Sequence, residues 1–334
     1  MLIFNDLLQL RNKKKKKRWK KIVQRGTKNE FPLRYTLEGN LESKNLMAMI
    51  HGGGMDHHEK GFYPTFDENG KPVKKMINGK MKTVLTKQHI GNYDRMVGEL
   101  ETIGADTLIV RVDLRNHGES LLPNGEMDKR DSSVLRLAGD ILDLIHQIEE
   151  EREIENIDLV GTCIGGLIAE CIATGTTTYN HEDTVEKIRS LFLNCPLSFQ
   201  ALTSTDPTDT FNYHKNKEIL TGKQFTKMKG MFEGKETFLE GLEHLNMPEL
   251  VASVPNLKIF YLFGADDRLL KQEKSTAILK KMLKVNPNIE YYKMTQENSH
   301  GYPDHCLWSP QCSDLMLKIF MDFYDRQLTS KRHL

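Results

Sequence analysis

Seven short runs of β-branched and apolar residues recur along the chain with helix-period segments between them. This alternation limits the possible folds more than any other feature. The runs are LRYTLEG (33–39), NLMAMI (45–50), DTLIVRVD (106–113), IDLVG (157–161), SLFLNC (190–195), LKIFYLFG (257–264) and IEYYKM (289–294). Most are apolar throughout, as strands covered on both faces must be. Strand and helix in alternation predict an α/β protein with a mostly parallel central sheet flanked by helices. The clearest helix lies between the third and fourth runs, where Val134, Leu137, Ala138, Ile141, Leu144, Ile145 and Ile148 recur at three- and four-residue steps. Its single apolar stripe is expected to lie on the sheet.

Two segments interrupt the alternation. Residues 59–88 read as a hairpin insertion, because Asn78-Gly79 sits between short β-type runs. Residues 197–250 have room for two or three helices, with Phe225, Met228, Met231, Phe232, Phe238, Leu239 and Leu242 on an apolar side. A connection this long inside a compact domain is expected to form a lid over a pocket. With 334 residues, 38% of them hydrophobic, one large domain over 29–334 carrying that lid and hairpin is the expected organisation.

Residues 1–28 stand apart as a basic leader, with eleven Lys/Arg against the single Asp6, which leaves −9 for the rest of a chain of net charge +1. Ten of those cations fall between Arg11 and Arg25. The segment reads as a solvated, partly disordered tail, with an anionic membrane surface as its expected partner through residues 11–25; no specific nucleic acid is expected. Five cysteines, at 163, 171, 195, 306 and 312, show no C-x-x-C spacing, which fits a reducing, cytoplasmic setting, peripheral to a membrane if the leader engages one.

Within LVGTCIGGLIAE (159–170), Gly161-Thr162-Cys163-Ile164-Gly165 places a cysteine on a turn between a strand and a helix-compatible run. A sharp strand-to-helix turn crowds its neighbours, so glycine is needed two residues to either side, and the turn is expected to present the side chain to solvent. The sulfur also lies near a helix N-terminus, which favours thiolate over thiol. Three other features join it. His51-Gly52-Gly53-Gly54 follows the strand NLMAMI, where side-chain-free residues let backbone N–H groups face a developing oxyanion. Asp266 and Asp267 follow one strand end, and His300, in NSHGYPDH, follows the last.

HGGG (51–54), DLRNHGES (113–120), GTCIGG (161–166), GADD (264–267) and SHG (299–301) together resemble the motifs of α/β-hydrolases, from about residue 31 to the C-terminus. In that family the acid usually stands three residues after the glycine ending its strand, so the resemblance selects Asp267 over Asp266. Asn116 stands where the related stretch usually has glycine. Cysteine as nucleophile resembles dienelactone hydrolases and polyhydroxyalkanoate synthases, since most members use serine.

The resemblance implies a Cys163–His300–Asp267 triad, with His300 as base and Asp267 fixing its tautomer. Gly53 and Ile164 would supply the oxyanion N–H donors, supported by His51, Gly52, Gly54, Gly161 and Gly165. The expected chemistry is hydrolysis of an ester, lactone or thioester small molecule through an acyl-cysteine, with acyl transfer from the same intermediate as the alternative. A non-catalytic ligand-binding protein on the same scaffold is the reading from another class; it is disfavoured because nucleophile, acid and histidine are all recoverable. No cofactor or metal is expected: His57-His58 lacks further ligands at zinc spacing, and no dinucleotide or phosphate-loop fingerprint is present.

Overall fold

The computed structural model describes residues 19–329, except 26–30, 54–55, 69–70, 72, 78, 90, 123, 127, 129–132, 198–244, 268–269 and 308. The strands are β1 (Trp19–Arg25), β2 (Arg34–Asn40), β3 (Asn45–Ile50), β4 (Lys60–Pro64), β5 (Lys74–Ile77), β6 (Lys80–Thr83), β7 (Leu85–His89), β8 (Leu108–Val112), β9 (Asn156–Thr162), β10 (Ile188–Asn194), β11 (Lys258–Gly264) and β12 (Ile289–Met294). The helices are α1 (Asn92–Thr102), α2 (Val134–Glu151), α3 (Ile164–Ala173), α4 (Glu182–Glu186), α5 (Met247–Ala252), α6 (Gln272–Val285), α7 (Gln296–Ser299) and α8 (Pro310–Thr329).

Among the described residues, eight strands form one sheet in the order β1-β2-β8-β3-β9-β10-β11-β12. From β8 to β12 all neighbours are parallel, and β2 runs antiparallel to both β8 and β1. The α/β class and the mostly parallel sheet are therefore present, and the seven apolar runs coincide with β2, β3, β8, β9, β10, β11 and β12. Trp19–Arg25, inside the segment set apart above as a leader, forms β1 and pairs along its whole length with β2. Its Trp, Ile and Val favour a strand, and lysines suit a sheet edge, where they discourage further strand pairing.

In β3, β10 and β11 successive apolar residues enter two different cores. Leu46, Ala48 and Ile50 join Leu137, Ile141, Ile145, Leu167 and Ile168, whereas Met47 and Met49 join Tyr93, Met96, Phe320 and Phe323. Helices α2 and α3 thus cover one face, and α1 and α8 the other. This is why the strands read as continuous apolar runs without a polar face. Every residue of the predicted stripe on α2 is buried, and Ser133 caps that helix by accepting from Arg136 N–H at 3.2 Å.

Between β3 and α1 the insertion rises as an antiparallel β4–β7 ribbon continued by a β5–β6 hairpin, with Ile77 opposite Lys80 across Asn78-Gly79. Gly79 adopts φ 72°, a conformation such two-residue turns require. Nearly all of the segment expected to form a lid, 198–244, lies outside the described residues. Among the described residues no helix is long and apolar enough to cross a membrane.

Candidate active site

Strand β9 passes into α3 through Cys163 alone. The residue adopts φ 56° and ψ −117°, a region that costs a side-chain-bearing residue of order 1–3 kcal/mol and persists only where its surroundings enforce it. Here they do so by backbone hydrogen bonds: Cys163 N–H donates to Asn194 O at 3.0 Å, and Leu197 N–H donates to Cys163 O at 2.9 Å. The flanking glycines are steric necessities. A Cβ on Gly161 would lie 2.4 Å from Gly165 O, and one on Gly165 would lie 2.1 Å from Ile50 O. Gly166 has the same need, with Pro196 Cβ 2.7 Å away. The thiol stands at the N-terminus of α3, as expected, but it is only 6% exposed, so the turn does not display it on an open surface.

The imidazole that meets this thiol is not the one expected. His300 is exposed and takes a left-handed backbone (φ 53°, ψ 22°) as the cap of α7, a single turn held by a Thr295–Asn298 capping box. The chain then doubles back over the end of β11, where Pro303 O accepts Asp266 N–H at 3.0 Å. Gly264 makes room for this return, because a Cβ there would lie 2.2 Å from Pro303 O. Two residues beyond that proline, buried His305 donates from Nδ1 to Asp267 Oδ2 at 2.8 Å. His305 therefore replaces His300 in the constellation. The stretch NSHGYPDH ends on this residue, yet distance from a strand end cannot rank two histidines when the connection reverses direction between them.

Of the two adjacent aspartates, Asp267 is the one that meets His305. It is buried, and its Oδ1 accepts Leu270 N–H at 3.0 Å, while Asp266 turns outward to accept from Gln296 at 2.8 Å. Burial alone would depress the His305 imidazole, but the Asp267 carboxylate and then Cys163 outweigh it and hold the ring well above the ordinary histidine range. His305 Nε2 is buried and has no hydrogen-bond partner among the described residues, and Cys163 is the second group, after Asp267, that acts on the ring.

The opposite wall is the loop after β3. His51 Nε2 accepts Leu114 N–H at 3.0 Å, so the ring proton lies on Nδ1, which donates to Gly52 O at 2.7 Å. Burial lowers the His51 pKa and keeps the ring neutral in this role. His57 donates from both its backbone N–H and its ring Nδ1 to Asp113 Oδ1, each at 2.7 Å. Asp113 sits at about 2: burial pushes it up, but the His57 bonds and charge pull it further down. Asn116 occupies a left-handed position (φ 66°), which asparagine tolerates, and its amide exchanges two 2.7 Å hydrogen bonds with the Asp128 backbone. The departure from glycine there leaves the turn intact.

Tyr93, on α1, joins the two walls: its hydroxyl donates to Ile50 O at 2.7 Å and shares a hydrogen bond with the Thr162 hydroxyl at 3.1 Å. No sequence signal marked it. Gly53 follows Ile50 by three residues and Ile164 opens α3; Gly54 is outside the described residues. Among the described residues, Cys195, Asp267 and His305 form one group of donors compact enough for a cation, with ligand atoms within 4.8 Å of one another. The proton joining Asp267 to His305 already occupies two of those three groups, so a cation would have to displace it.

Neither a protein-family model nor a curated protein matches the sequence, whereas solved structures do. The esterase Pf2001 of Pyrococcus furiosus is 15% identical, with TM-score 0.57, over 92% of this chain and 90% of that one. The peroxisomal alpha-beta-hydrolase Lpx1 of Saccharomyces cerevisiae is 12% identical, with TM-score 0.59, over 93% and 90%. The 2-hydroxy-6-oxo-6-phenylhexa-2,4-dienoate hydrolase of Rhodococcus sp. strain RHA1 is 13% identical, with TM-score 0.57, over 92% and 99%. The chain has the α/β-hydrolase fold.

Proposed function

We propose that the protein hydrolyses an ester, lactone or thioester through Cys163, His305 and Asp267. One observation carries the reading: a buried imidazole is fixed at Nδ1 by Asp267, and the thiol that acts on the same ring stands on a strained strand-to-helix turn. Nε2 takes the thiol proton, and the sulfur attacks the acyl carbonyl carbon. Backbone N–H groups of Ile164 and Gly53 receive the oxyanion, each worth about 3–4 kcal/mol where such donors have been removed from enzymes. The tetrahedral adduct expels the alcohol or thiol, which leaves with the proton from His305, and a thioester remains on Cys163. Water then attacks this thioester, gives a proton to Nε2, and releases the carboxylic acid with the free thiol.

Thiolate is itself a good leaving group, so an amide adduct would return to reactants, while activated acyl donors go forward. Similarity to an esterase and to hydrolases supports the acyl class. The test is intact-protein mass spectrometry after exposure to p-nitrophenyl esters and acyl thioesters. An acyl adduct is expected on the parent and absent from Cys163→Ala. An adduct on both would place the chemistry elsewhere.

A further inference from the structure

The insertion between β3 and α1 has an anchored base and an exposed tip. At its base Glu59 accepts Tyr93 N–H at 2.9 Å and His58 Nδ1 meets Asp94 Oδ1 at 3.1 Å. At the tip, the register sets Met76 opposite Met81, and these two side chains are 65% and 58% exposed. Lys71, Lys74 and Lys75 are exposed beside them. From Asn69 to His89 the sequence has six lysines and no acidic residue.

An exposed apolar pair beside cations gains little from water, and a partner that supplies both anions and an apolar layer suits both features. The segment has no aromatic residue between Asn69 and His89 on which bases could stack, as single-stranded nucleic acid binding favours. The insertion also leaves the sheet at the carboxyl end of β3, the edge at which β9 delivers Cys163.

We propose that the β5–β6 hairpin docks on an anionic phospholipid surface, with Met76 and Met81 entering the headgroup layer and Lys71, Lys74 and Lys75 meeting lipid phosphates. The docking is independent of the chemistry at Cys163. Its test is co-sedimentation of the full-length protein with vesicles of phosphatidylcholine alone or mixed with phosphatidylserine, at low and high salt. The parent should bind the mixed vesicles in a salt-dependent manner and leave the neutral ones. Lys74→Glu/Lys75→Glu and Met76→Ser/Met81→Ser should each weaken that binding about tenfold or more, with thermal unfolding unchanged. A variant with Lys13, Lys14, Lys15, Lys16 and Lys17 changed to Gln measures the leader separately. The proposal is overturned if the parent ignores anionic vesicles, if both hairpin variants bind like the parent, or if the hairpin variants lose a labelled RNA and not the vesicles.

Discussion

Two strand ends carry the candidate chemistry, and they are built in opposite ways. At the end of β9 no residue intervenes between strand and helix except Cys163 itself, and the geometry follows from glycines within three positions of it. At the end of β12 ten residues intervene before His305, and they make a capped helical turn and a reversal over a neighbouring strand. The first site is local and legible residue by residue. The second is set by contacts between β11 and β12 ends that are distant in the chain.

The largest expected effect separates the two histidines of that second strand end. His305→Ala should lower kcat by about 10²–10⁴-fold, the usual range for a positioned general base, while His300→Ala should leave it within about twofold, as for an exposed side chain that joins no network among the described residues. The measurement is kcat on the best ester from the acylation panel. Comparable losses in both variants would restore His300 to the site and dissolve the contrast.

A buried hydrogen bond ties the helix that follows Cys163 to β11. Tyr261, on β11, donates to Glu170 Oε1, on α3, at 2.5 Å, and burial pushes the Glu170 carboxyl from 4.5 up to about 8, the tyrosine bond opposing this only in part. Below about 4.5 both folded and unfolded chains hold the proton and pH has no leverage. Between there and about 8 the unfolded chain releases it and the folded chain keeps it, so stability falls as pH rises, by up to about 1.4 kcal/mol per unit for this group. Above about 8 the penalty is constant. Glu170→Gln removes the titration, so its urea midpoint should gain on the parent between pH 5 and 8. Parallel pH profiles would mean that the carboxyl stays charged in the fold.

At the first strand end, Gly165→Ala should cost about 1–3 kcal/mol by overpacking, because the new Cβ meets the Ile50 carbonyl, a backbone atom that cannot rotate away. Chemical denaturation reads this, and an unchanged midpoint would show that the contact between α3 and β3 is slack. The same close approach explains what the sequence could reveal. The elbow was readable because short-range sterics dictate both the residue types and their spacing, and the α/β class because burial on two faces removes polar positions from the strands. His305 was not readable, since the reversal depends on Gly264 admitting Pro303 from 39 positions further along. Nor was Tyr93, whose hydroxyl looks from sequence like any half-apolar core residue on α1.

The smallest expected effect concerns that hydroxyl. Tyr93→Phe keeps the ring in the core formed by Met47, Met96 and Phe320 but leaves Ile50 O and the Thr162 hydroxyl each without this partner. The stability loss should be about 1 kcal/mol, the net worth of one buried hydrogen bond. Ile50 leads to Gly53 and Thr162 leads through Cys163 to Ile164, so the hydroxyl ties together the two strands that carry the proposed donors. Loosening that tie should weaken binding of a trifluoromethyl ketone, which forms an oxyanion on attack, by up to about tenfold while KM for the ester stays level. A purely structural tyrosine would move inhibitor affinity and KM together. In that case the oxyanion wall is held by the short-range contacts of Gly165 alone, and the first strand end needs no help from α1.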